Sequence, residues 1–158
     1  MMLTETPGTL KKFGRTSWRF QRTFKTPLEN LRSFVTAITG AIRRLDAATV
    51  TIDTVVFEPK HLLALVTPIG AADWLAHDVT VSAVGREAVE GLLEAALSDW
   101  ADFLFVPQPK PFVIYADHDE YTTFYAQSCS NLNSVVNELC GKGFAEILGY
   151  KRSQRSWR

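Results

Sequence analysis

The chain of 158 residues has the length of one ordinary domain, and it contains 46% hydrophobic and 22% charged residues. These values are average for globular proteins and argue against a disordered chain or a coiled coil. The longest apolar stretch, residues 34–42, is shorter than the roughly 20 residues that a membrane crossing requires. We therefore expect a soluble protein without a membrane partner.

The charge is segregated along the chain, although 17 Lys and Arg residues balance 17 Asp and Glu residues. Residues 1–45 carry a net charge of +7, residues 46–139 carry −11, and residues 140–158 carry +4. A basic start and a basic end therefore bracket an acidic middle. This concentration of negative charge is our reason to expect a protein partner there.

Composition also suggests three regions: an N-terminal arm (1–25), an α+β domain (26–150) and a basic tail (151–158). In the arm, cations alternate with aromatic residues, as on surfaces that bind phosphates and stack on unpaired bases. An arm that packs on the domain, or an organelle presequence, would have the same composition. The residues that would bind nucleic acid are Lys11, Lys12, Arg15, Trp18, Arg19, Arg22 and Lys25.

The first strong structural signal is the sequence Thr26-Pro27-Leu28-Glu29. Thr26 can cap a helix, a proline suits the first helical position, and Glu29 can complete a capping box. An apolar residue then recurs every three or four positions as far as Leu45, which predicts one amphipathic helix.

Strands and a second helix are predicted next along the chain. Residues 50–57 and 62–66 are β-branched or apolar runs separated by a proline, which predicts a β-hairpin. A loop at 68–78 leads to a third strand at 79–84. The spacing of apolar residues over 86–100 then predicts a helix with acidic residues near its start.

The last third of the chain is predicted to be mostly β-structure. A short strand at 103–106 and a proline-rich connector lead into a hairpin over residues 112–126. Ser130 can cap a third helix, which ends at the glycines near residue 141, and residues 144–150 would form a final strand. The expected fold is α+β: a mainly antiparallel sheet of about six or seven strands with three helices packed on it.

Titratable side chains crowd together only at the turn of the predicted 112–126 hairpin. A polar turn between two strands is expected to be exposed, and tyrosines on one strand face suit contact with a partner. We expect partner contacts from Asp117, His118, Asp119, Glu120, Tyr121 and Tyr125.

The same turn offers the ligand types of a divalent metal, which makes a metal-dependent hydrolase an alternative. Adjacent residues of a tight turn point in different directions, so other loops would have to supply ligands. His61, His77 and Asp78 are the candidates for those additional ligands. We therefore assign no metal or catalytic residue from the sequence.

Cys129 and Cys140 are the only cysteines. The predicted third helix rises about 1.5 Å per residue and separates them by roughly 16 Å, beyond the ~7 Å Cα limit for a disulfide. With no disulfide expected and no secretory signal near the start, we expect a cytoplasmic location. A buried, structural Cys129 is expected rather than a nucleophile.

Taken together, these features predict a non-enzymatic protein-interaction domain, either an adaptor or a neutralising, immunity-type binding protein. It would use the acidic central surface and the hairpin turn, and it would need no cofactor. Nucleic-acid binding through the basic and aromatic termini is the first alternative, and metal-dependent hydrolysis is the second. The sequence leaves a homodimer open.

Overall fold

A computed structural model describes residues 1–70 and 77–152, which contain five α-helices and seven β-strands. The strands are β1 (Met2–Glu5), β2 (Phe20–Lys25), β3 (Ala47–Thr54), β4 (Val79–Val84), β5 (Asp102–Gln108), β6 (Val113–Ala116) and β7 (Tyr121–Ala126). The helices are α1 (Thr9–Arg15), α2 (Leu31–Gly40), α3 (Lys60–Val66), α4 (Arg86–Ser98) and α5 (Cys129–Gly141). The α+β class is confirmed, with five helices in place of the expected three.

The strands form one sheet in the order β1-β4-β3-β5-β6-β7-β2, and every neighbouring pair is antiparallel. Strands that follow one another in the chain are also neighbours in the sheet for β3 and β4 and for β5, β6 and β7. Residues 1–25, which we expected to form an arm, contribute β1, α1 and β2. Both edge strands of the sheet therefore come from the basic N-terminal segment.

Alternation along the strands divides the sheet into two faces. On the helix-covered face, large side chains such as Phe103, Phe105 and Phe124 are fully buried beneath α2, α4 and α5. Burial of each such side chain contributes about 1.5 to 3 kcal/mol to folding. We call the other side the open face; of the described helices, α1 packs there, through Leu10 and Phe13.

Several predicted elements are confirmed. They are β4, α4, β5, the β6–β7 hairpin and α5, whose buried residues Leu132, Val135, Val136 and Leu139 form the expected stripe. The two helices show the apolar period of elements with one buried face, whereas β5, β6 and β7 are buried on both faces and appear in the sequence as short, nearly continuous apolar or β-branched runs.

The predicted capping box at Thr26 is wrong. The Thr26 hydroxyl is buried and bonds to the hydroxyl of Thr122 across the sheet at 2.7 Å, so it does not cap a helix. A 3-10 turn at Leu28–Asn30 follows, and α2 begins only at Leu31 and ends at Gly40. The helix therefore starts later than predicted, because the Thr26 hydroxyl bonds across the sheet, and it also ends earlier than the apolar spacing suggested.

The predicted strand at residues 62–66 is also wrong, since these residues belong to α3. The Asp99 carboxylate accepts the backbone N–H of His61 at 3.1 Å and that of Leu62 at 2.7 Å. These two bonds satisfy donors that a helix start leaves unpaired. Leu62 and Val66 are buried one helical turn apart, and a short apolar run cannot distinguish this arrangement from a buried strand.

The predicted last strand, residues 144–150, is reduced to a single β-bridge between Glu146 and Phe24. Backbone bonds from Lys25 to Ala145 and from Ile147 to Thr23 keep this segment beside β2. It then turns onto the open face. Residues 71–76 of the predicted 68–78 loop, and residues 153–158 of the predicted tail, lie outside the described residues.

Candidate functional site

Three buried aspartates meet at one end of the open face, which we call the acidic end. Asp53 lies near the end of β3, Asp102 at the start of β5 and Asp117 directly after β6. Because these neighbouring strands are antiparallel, the three positions fall at the same end of the sheet. Their exposed fractions are 8%, 1% and 8%.

Asp117 holds the hairpin tip, which we define as residues 118–121. Its Oδ1 accepts the backbone N–H of Asp119 at 3.0 Å and that of Tyr121 at 3.2 Å. Its other oxygen, Oδ2, forms an ion pair with the Arg152 guanidinium. The chain can turn tightly here because Glu120 adopts a left-handed conformation, with φ of 69°.

Asp102 fixes the orientation of His118. Its Oδ1 accepts both the backbone N–H and the ring Nδ1–H of His118 at 2.8 Å. This hydrogen bond is the main reason why the pKa of His118 is raised, although burial acts in the opposite direction. The outer ring nitrogen, Nε2, lies 3.8 Å from the carboxylate of Asp119.

Asp53 is engaged from both sides. The hydroxyl of Tyr115 donates to its Oδ2, and Nδ1 of His77 lies 2.9 Å from its backbone carbonyl. Burial, together with the bond to Asp53, raises the pKa of Tyr115 and keeps the phenol protonated. The Asp53 carboxylate therefore serves as the hydrogen-bond acceptor for the buried Tyr115 hydroxyl.

The C-terminal segment closes over the acidic end. The Arg152 guanidinium lies 4.1 Å from the centroid of the Tyr115 ring, and its side chain is only 9% exposed. Tyr150 stacks on Tyr121 with 4.7 Å between the ring centroids. One cation thus neutralises part of the buried negative charge, and cation–π contact adds to the attraction.

The residues that we expected to contact a partner divide into two groups. Asp119, Glu120 and His118 have side chains that are 68%, 40% and 30% exposed, and Tyr121 is partly exposed. Asp117 and Tyr125 are buried. These two residues can support the contact surface but cannot form part of it in this conformation.

Tyr125 is covered by aromatic residues of the N-terminal segment. The ring of Phe13 meets it edge-on at 5.1 Å, and Trp18 lies 6.0 Å away. Burial raises the pKa of Tyr125 to about 12. The tyrosine-bearing strand face is therefore largely a packing surface for α1.

The residues proposed for nucleic-acid binding do not share one surface. Lys11, Lys12 and Arg15 are exposed on α1, whereas Trp18 is partly buried and donates its indole N–H to a backbone carbonyl at 3.3 Å. Arg19 is exposed ahead of β2, while Arg22 pairs with Glu146 and Lys25 lies 3.8 Å from Glu120. Nucleic-acid binding stays a prediction.

The proposed additional metal ligands are also spread over different neighbours. His61 pairs with Asp99 at 2.6 Å, and His77 lies between Asp53 and Asp78. Within residues 1–70 and 77–152, no three His, Cys, Asp or Glu side chains are arranged to hold a metal ion. Metal-dependent hydrolysis therefore gains no support from the arrangement of these side chains.

We found no family model, curated protein or solved structure that matches the chain. None of the described helices is both long enough and apolar enough to cross a membrane.

Cys129 and Cys140 are free and exposed at the two ends of α5, so the expectation of a buried Cys129 is wrong. The function has to be inferred from the geometry of the acidic end and its tip.

Proposed function

We propose that this protein is a non-enzymatic interaction domain that binds a partner protein through the hairpin tip. The observation that carries the proposal is that the acidic residues form two groups, one buried beneath the tip and one exposed on it. Asp102 and Asp117 are buried and hold the tip by hydrogen bonds to its backbone, while Asp119 and Glu120 point outward. An adaptor or a neutralising, immunity-type protein would use such a surface.

Rigidity of the tip favours binding. The backbone N–H groups of His118, Asp119 and Tyr121 are each fixed by a buried carboxylate. A loop that is ordered before it meets its partner loses less conformational entropy on association, and more of the contact energy appears as affinity. The buried charges therefore contribute to binding indirectly.

The chemistry of the tip favours a basic partner surface. Asp119 is the most exposed acid of the tip, and the neighbouring Glu120 is only loosely paired with Lys25, at 3.8 Å. Complementary charge speeds the encounter and excludes partners of the wrong sign. Tyr121, stacked on Tyr150, adds a rigid aromatic surface beside the charges, as in many interface hot spots.

A cytoplasmic location is part of the same proposal. Both cysteines are exposed and free, and exposed thiols persist most readily in a reducing compartment. Among the buried acids, Asp53 bonds to Tyr115, and Asp117 bonds to backbone N–H groups and Arg152. Bonds of this kind are compatible with support of a contact surface.

The proposal can be tested with two charge-neutral double variants. Asp119→Asn with Glu120→Gln removes the outward charge of the tip and keeps side-chain size. Glu87→Gln with Glu138→Gln removes the same charge from exposed positions on α4 and α5, away from the tip, and serves as the matched control. Wild type and both variants would be used for quantitative affinity purification from the source cells, followed by titration of the purified candidate partner.

We expect a protein with a basic surface that wild type and the control capture and the tip variant does not. With purified components, the tip variant should bind about tenfold more weakly, and the wild-type affinity should fall with added salt. If no captured protein depends on the tip charges, the proposal is wrong. Recovery of nucleic acid that is lost on replacing Lys11 and Lys12 would support the alternative instead.

A further inference from the structure

A cleft of about 570 Å³ lies on the open face, at the end of the sheet opposite the acidic end. Its floor consists of the apolar side chains of Leu104, Val106 and Val113. The helix α1 forms one wall, and the connector between β5 and β6 forms the other. The cleft is thus a gap between α1 and the sheet that the N-terminal segment leaves uncovered.

Aromatic rings separate this cleft from the acidic end. Phe13 stacks on Tyr115 with 5.8 Å between centroids and an angle of 6° between the planes. Trp18 packs against Phe13 at 5.8 Å and also lines the cleft. A ligand in the cleft would therefore meet the rings of Phe13 and Trp18 without touching the buried aspartates.

The charged residues that line the cleft are all positive. Lys12 on α1 and Lys110 on the β5–β6 connector both line it, and both are exposed. Among the described residues that line the cleft, none is acidic, and the remaining polar ones are neutral. An anionic group at the rim would gain two favourable charge interactions and meet no opposing carboxylate.

We propose that this cleft binds a small aromatic carboxylate. The ring system would lie on the apolar floor beside Phe13 and Trp18, and the carboxylate would lie between Lys12 and Lys110. The volume falls within the range of about 300 to 1,000 Å³ that is usual for small-molecule sites, which combine an apolar lining with a few polar groups. The site is independent of the hairpin tip and of the function proposed for it.

Calorimetric titration with a matched pair of probes tests the proposal. Biphenyl-4-carboxylate has the expected chemistry, and biphenyl-4-carboxamide has the same shape without the charge. The carboxylate should bind wild type in a saturable way and more tightly than the amide. Replacing Lys12 or Lys110 by Gln should weaken carboxylate binding by about two- to fivefold each, as for exposed charge pairs, and leave amide binding unchanged.

Lys11→Gln is the control, because Lys11 is exposed on the same helix but does not line the cleft. It should leave the affinity for the carboxylate unchanged. Val106→Trp should fill the floor and abolish binding of both probes, with far-UV circular dichroism to verify that the variant is folded. If that variant does not fold, the proposal is judged from the carboxylate affinities of Lys11→Gln, Lys12→Gln and Lys110→Gln.

Four results would overturn the proposal. The first is no saturable binding of the carboxylate, and the second is equal affinity for the amide. The third is a loss in Lys11→Gln as large as that in Lys12→Gln, which would indicate general surface charge. The fourth is undiminished binding by folded Val106→Trp, which would place the probe elsewhere.

Discussion

Replacement of Asp117 by Asn is expected to destabilise the fold through its ion pair with Arg152. The two side chains are 5% and 9% exposed, so water screens their attraction poorly. Removal of one partner from a buried ion pair usually costs about 3 to 5 kcal/mol, because the remaining charge is left buried and unpaired. The Asn oxygen can still accept the N–H groups of Asp119 and Tyr121, which isolates the contribution of the charge.

We expect about 3 kcal/mol, the lower end of that range. Arg152 lies in neither a helix nor a strand, so it can turn toward water when its partner is lost. In a domain of this size, a loss of 3 kcal/mol corresponds to a fall in Tm of about 6 to 12 °C. Arg152→Met should cost at least as much, because it leaves the Asp117 carboxylate buried without its cation, while the two backbone bonds to Asp117 remain in both variants.

The assay is equilibrium unfolding in urea, which gives the free energy of unfolding of wild type, the two single variants and the double variant. The double-mutant cycle should give a coupling energy of about 1 to 3 kcal/mol between Asp117 and Arg152. The control is Asp119→Asn, which removes an exposed charge of the same tip and should change stability by less than about 0.5 kcal/mol. Additive single effects, or a cost for Asp117→Asn as small as that of the control, would refute a buried ion pair.

Two further predictions concern His118 and Asp99. Because the bond to Asp102 raises the pKa of His118 in the folded state, its contribution to stability is fully present below the unfolded pKa of about 6.5 and is lost as pH rises through the folded pKa. Between about pH 6 and pH 8, wild type should therefore lose more unfolding free energy than His118→Asn; equal losses in urea titrations would contradict this. Asp99→Ala should cost about 2 kcal/mol by removing the acceptor of the His61 and Leu62 amides at the start of α3. Asp99→Asn, which retains an acceptor, should cost less than half as much, and equal costs would show that capping is not the cause.

The candidate site was only partly predictable. The tip itself was found from the sequence because its titratable residues are adjacent in the chain. The contribution of Asp53 and Asp102 was missed, since each looks like an isolated acid in or beside an apolar strand. The one signal available was position, because both occupy open-face positions at strand ends, but this becomes informative only when the strand order is known.

Arg152 and Phe13 were missed for a related reason. Both come from basic or aromatic segments that looked like extensions of the domain, yet each packs on the open face against Tyr115. A cation and a ring gain more from an aromatic, partly enclosed surface than from water. The sequence contains both groups, but it does not show that Tyr115 is the residue that both of them contact.

The sequence by itself determined the elements whose residues favour one secondary structure throughout. The apolar period of α4 and α5 specifies helices with one buried face, and the aromatic and β-branched runs of the β6–β7 hairpin specify strands. Only the tertiary structure decided whether residues 60–66 are helical, since the cap of α3 comes from Asp99, which is far away in the chain. It also decided the sheet order, which puts the first 25 residues at both edges. The acidic end exists for the same physical reason: strands that are distant in sequence gain their contacts only when the whole sheet has formed.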